Sequence, residues 1–141
     1  MATTYSNDEA YNKEIAISAA YTVKASDNGA IYTLDGTAGA AITLPALAKG
    51  LRYKFVVAAA FATTNWVVSS SEGDNINGLL VDLAGVGVSG VAASGEDQVN
   101  FVASAESIGD YVELIADVDN SQWIVNGMCL LQGGITFTDP A

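Results

Sequence analysis

Histidine is absent from this 141-residue chain. That removes the side chain most used as a general base at neutral pH and the commonest metal ligand. Ser-His-Asp and Cys-His arrangements are therefore impossible, and zinc has no plausible ligand set. The single cysteine, Cys129, can form no internal disulfide, so the fold does not depend on an oxidising compartment. Set between Met128 and Leu130, it reads as a buried packing residue. Basic residues are also scarce: Lys and Arg total 5 against 16 Asp and Glu, a net charge of −11. Such a chain repels phosphate, so neither nucleic acid nor an anionic membrane is an expected partner. No apolar run approaches the ~18 residues of a membrane span. The first residues show neither the basic nor the apolar region of a signal peptide, and synthesis and folding in a cytoplasm are expected. Neither a Walker loop nor a dinucleotide-binding glycine loop is expected, Gly85, Gly87 and Gly90 included. No cofactor is expected either.

Half of the residues are hydrophobic and only 15% are charged, which suits one folded domain with a sizeable core. The clearest element runs from Gly109 to Gly127. Tyr111 to Ala116 is β-branched, aromatic and aliphatic, as befits a strand covered on both faces. Gln122 to Val125 carries Trp123, a large apolar surface. Between them, Asp117-Val-Asp-Asn-Ser121 has the side chains of a tight turn. The unit is predicted to be a β-hairpin near the centre of a sheet.

The rest of the chain is read around that hairpin. Residues 1–14 form a polar, flexible N-terminal arm, with Tyr5 and Tyr11 available as anchors on a partner. Strands are predicted at Ile15–Val23, Ala30–Leu34 and Ala41–Leu44, the last stopped by Pro45. Ala46–Gly50 suggests a single helical turn closed by glycine. In Leu51–Ala58, Leu51, Tyr53, Phe55 and Val57 share one face while Arg52 and Lys54 take the other. With Lys49 these two bases make a small basic cluster, either a solvated strand face or a contact for an acidic surface. Residues 84–95 consist of small and β-branched residues, which suit a thin strand or a loop against another subunit; Val86 and Val88 are its candidate contacts. The tail 128–141 stays apolar as far as Phe137. It is expected to dock on its own or a neighbouring subunit, with Leu130, Leu131 and Phe137 as contacts. The β-domain proper is placed at 15–127. About ten short strands separated by turns, without sustained helical period, predict an all-β, single-domain antiparallel β-sandwich of jelly-roll type.

Carboxylates are the only catalytic resource left. Glu113 with Asp117 or Asp119 is the available pair for glycoside cleavage, but a solvent-facing or interface position explains Glu113 better. Asp117-Val-Asp-Asn-Ser121 has half the oxygen pattern of a calcium loop without its glycine and bidentate glutamate, so a turn accounts for it better.

Ala48-Lys-Gly-Leu-Arg-Tyr-Lys-Phe55, Trp66-Val-Val68, Gly73-Asp-Asn-Ile-Asn-Gly78, Gly109-Asp-Tyr-Val-Glu-Leu114 and Trp123-Ile-Val-Asn-Gly127 occur in that order. Over about residues 21–127 this pattern resembles small β-rich virion proteins of tailed bacteriophages, both capsid decoration (cement) proteins and fibre or receptor-binding domains. The resemblance implies a non-enzymatic structural protein, commonly a homotrimer. As a decoration protein it would clamp capsomers of the major capsid protein on the capsid exterior. As a fibre tip it would bind a host glycan through aromatics such as Tyr5, Tyr32 or Trp66.

Overall fold

The computed structural model describes residues 13–73, 75–83 and 89–140. Its strands are β1 (Glu14–Ile17), β2 (Tyr21–Thr22), β3 (Ile31–Leu34), β4 (Ala41–Thr43), β5 (Arg52–Val57) and β6 (Trp66–Ser69). They continue as β7 (Ile76–Asp82), β8 (Ser89–Glu96), β9 (Gln98–Phe101), β10 (Tyr111–Asp117), β11 (Gln122–Cys129) and β12 (Ile135–Thr138). Two open sheets result, in the orders β1-β3-β5-β10-β11-β7-β8 and β12-β9-β6-β4-β2. The all-β sandwich is as expected, and the hairpin β10–β11 lies at the middle of the larger sheet.

The pairing is mixed, which the expected antiparallel arrangement does not accommodate. From β1 to β6 the chain changes sheet at every connection, so strands one winding apart lie side by side and parallel. This flattened coil arises because the short connections cross the core edge instead of folding a strand back on its predecessor. The predicted single strand Ile15–Val23 is cut for this reason at Ser18–Ala20, with β1 and β2 in different sheets. Beyond β6 the hairpins β7–β8 and β10–β11 are antiparallel, and β10 inserts between β5 and β11. The predicted helical turn at 46–50 is not helical. Its backbone is tied to a distant turn instead, with the Leu47 N–H donating to Glu72 Oε1 at 2.6 Å. The one helical winding among the described residues is a 3₁₀ turn at Ala25–Asp27.

Aromatic rings fill the space between the sheets. Trp66, Trp123, Tyr32, Tyr53, Phe55 and Phe101 are all fully buried. Tyr32 stacks on Phe55 with centroids 5.1 Å apart, and Tyr53 tilts against Trp123 at 6.1 Å. At ~25 cal/mol per Å² and ~200 Å² per ring, each contributes on the order of 5 kcal/mol before entropy is counted. Tyr53 keeps one polar obligation, its hydroxyl donating to the Lys24 carbonyl at 3.0 Å. The alternation in β5 is as predicted: Tyr53, Phe55 and Val57 point inward, Arg52 and Lys54 outward.

Gly78 in β7 lies against the backbone of Val125 in β11. Its φ is +142°, and an added Cβ would lie 2.0 Å from the Val125 carbonyl oxygen. A backbone atom cannot swing aside as a side chain can. Gly78→Ala is therefore expected to cost about 1–3 kcal/mol, read as a lower urea midpoint with unchanged slope.

Burial, reinforced by the charge of Asp27, raises the Tyr53 hydroxyl to about 12, and burial drives Tyr32 upward too. The neutral phenol is the form the fold favours. Its contribution is complete below the ordinary tyrosine value near 10 and is lost as pH climbs toward 12. The melting temperature should thus hold nearly level up to about pH 10 on account of these groups and fall above it. Tyr53→Phe should flatten that alkaline fall while costing about 0.5–1.5 kcal/mol at neutral pH through the lost hydrogen bond.

Candidate interface on the open face of the larger sheet

Neighbouring residues along a strand face opposite ways, so the larger sheet has one face on the aromatic core and one outside. Register decides what the outside face carries. Tyr111 lies beside Met128, Glu113 beside Asn126 and Ile115 beside Ile124. One strand further, Ile124 meets Asn77, Asn126 meets Leu79 and Met128 meets Val81. Leu79 is 60% exposed, and Ile124 and Met128 are also exposed. The same outward alternation continues past the strand ends to Leu83 and Leu130. These end residues are held in place: the Leu83 N–H donates to the Cys129 carbonyl at 3.1 Å. Buried Asp110 accepts from the Leu130 N–H at 3.0 Å and the Ser107 N–H at 2.8 Å, pinning the loop before β10 to the end of β11. Leu131 and Ile108, both exposed, sit at this same end.

β7 and β11 are parallel, and each places apolar side chains on both sides, with Asn77 and Asn126 as polar residues among them on the open one. Leu80 and Trp123 point into the core, while Leu79 and Ile124 point out of it. Parallel strands with that composition normally have both faces covered. The same expectation was attached to β10, yet Tyr111, Glu113 and Ile115 are only half-buried. Among the described residues, one face of this sheet has no cover.

The predicted contact residues divide. Leu130 and Leu131 are on the rim of this face, and both are exposed. Arg52 and Lys54 lie at its β5 side, but each is engaged by its own chain: Arg52 Nη2 is 3.0 Å from Glu113 Oε2, and Lys54 Nζ is 4.5 Å from the Tyr111 ring centroid. Lys49 is 3.4 Å from Asp119, so the three bases are not pooled into one patch. Phe137 is in β12, half-buried against the core and paired through β9 to the smaller sheet. The expected boundary at 128 falls inside β11. Tyr5, Tyr11, Val86 and Val88 lie outside the described residues. The 84–95 run enters them only at Ser89, as edge strand β8. Tyr32 and Trp66, named as glycan anchors, are fully buried.

Leu79, Leu83 and Ile124 were not among the expected contacts, and Met128 was expected only as the first residue of the docking tail. Their signal was present in Leu79-Leu80-Val81 and Trp123-Ile124-Val125, where consecutive apolar residues leave no polar side for water.

Chemistry is sparse. Asp117 Oδ2 accepts from Asn120 Nδ2 at 2.7 Å and Gln122 Nε2 at 2.9 Å, which hold its carboxyl below the usual range. Both bonds serve to close the turn between β10 and β11. No group of three or more metal-ligating side chains gathers among the described residues. Gly85, Gly87 and Gly90 do share the G-x-G-x-x-G spacing, but the chain from Ser89 is strand, not the helix N-terminus a pyrophosphate requires. Cys129 is buried, and burial pushes its thiol up. No family model, no curated protein and no solved structure matches the chain.

The Arg52–Glu113 pair is more than half exposed on its arginine side. Glu113→Gln should shift stability by no more than about 1 kcal/mol, as surface ion pairs do, measured by urea unfolding.

Proposed function

We propose that this chain is a non-enzymatic structural protein that works by surface contact, as a capsid decoration protein on the exterior of a tailed-phage virion. The observation that carries the contact role is the row of exposed apolar side chains Leu79, Ile124 and Met128 on β7 and β11, without cover among the described residues, in a chain that is strongly acidic. The phage assignment rests on the sequence pattern that resembles small virion proteins. On this reading a homotrimer clamps neighbouring capsomers of the major capsid protein through short-range contacts, since a chain of net charge −11 gains little from long-range attraction. The absence of histidine supports the non-enzymatic part. The competing role of a glycan-binding fibre tip loses two of its three aromatic anchors, because Tyr32 and Trp66 are sealed in the core.

The test is direct. Purified protein should co-sediment with expanded, undecorated heads and raise their resistance to heat or chelator. Binding to a glycan array with no affinity for heads would overturn the decoration role.

A further inference from the structure

The geometry points to the open face of the larger sheet as a self-association surface whose occupant is a second copy of this chain. The inference rests on the reading of an assembling structural protein and names the surface that assembly uses.

Charge is the first argument. The charged side chains that alternation puts on this face are Arg52 and Lys54 against Glu14, Glu113 and Asp117, a sum of +2 − 3 = −1. The whole chain carries −11. Two copies approaching by other surfaces meet like charge, while here they meet leucine, isoleucine and methionine. Within β11 and β7 the face has no charged residue at all between Asn77 and Val81 or between Ile124 and Met128.

Area is the second. Seven strands of 4 to 8 residues, spaced about 4.8 Å apart and rising about 3.3 Å per residue, give a face of about 700 Å². A standard stable interface buries about 800 Å² per partner. The apolar rim of Leu83, Leu130 and Leu131 extends that surface at one end.

Composition is the third. A parallel pair that is apolar on both sides is normally covered on both sides. A second sheet stacking on Leu79, Ile124 and Met128 at about 10 Å would complete the layering that the core side already has.

Sedimentation velocity of the full chain across the micromolar range, at low and high salt, tests this. Wild type should run as a multimer, and the association should tighten at higher salt, because screening weakens the repulsion between acidic copies. An interface built on ion pairs would loosen instead, and that result would overturn the proposal. Leu79→Lys with Ile124→Lys should weaken association by at least about tenfold although each change lowers the net negative charge. Leu79→Ser with Ile124→Thr, which keeps strand-compatible side chains, should weaken it in the same direction. All four substitutions are at exposed positions, so circular dichroism and melting of the dissociated protein should match a wild-type sample at monomer concentrations. A multimer that survives both double variants, or a wild type that is monomeric throughout, would overturn the inference. A dimer would support it while overturning the trimeric form of the proposed function. A wild-type multimer that ignores heads would support it while overturning the decoration role.

Discussion

The two sheets are held at their separation by a layer of rings, and everything else in the molecule is arranged to keep that layer dry. Phe55, Tyr32, Tyr53 and Trp123 pass from one to the next across β3, β5 and β11. Trp66 and Phe101 meet them from the smaller sheet, directly opposite each other in register. Short strands suffice on this plan, because each needs to deliver only one or two inward side chains. The two-residue β2 can exist for that reason: it is supported from below by the core and on one side by β4.

This arrangement explains which parts of the fold were legible in the sequence. Leu51 to Val57 alternates, so its face assignment followed from periodicity alone. The hairpin at 111–129 was legible because its turn is rich in Asp, Asn and Ser and its strands are long. The crossing of β1 to β6 between sheets was not legible. Turn residues such as Asp35-Gly-Thr-Ala-Gly39 mark a change of direction but do not say whether the chain returns to the same sheet or the other one. The polar side chains that decide individual joins, such as Glu72 on the Leu47 amide and Glu106 on the Phe61 amide, act over 25 and 45 residues and leave no local pattern.

The candidate interface was half legible, for a related reason. Apolar residues on both sides of a strand are a sign of double burial. The described residues cover only one face of the larger sheet, and nothing in a linear pattern says which face that is. Leu130 and Leu131 stood out as an apolar tail, whereas Leu79 and Ile124 were hidden inside strands whose inward neighbours explained them. Leu79, Ile124 and Met128 stand exposed on a chain whose net charge is −11, so its surface holds an apolar patch beside an excess of carboxylates.

The winding of β1 to β6 also sets an order of events at the ribosome. Each of β3 to β6 finds a partner one winding earlier in the chain, so the coil can grow as it emerges. Its growing end is another matter. β5 and β6 receive their second neighbours only from β10 and β9, and β7 waits for β11 to lie between it and β10. Until residues 98–129 have been made, the nascent chain carries unpaired backbone along both sheets, the kind of edge that invites pairing with another chain.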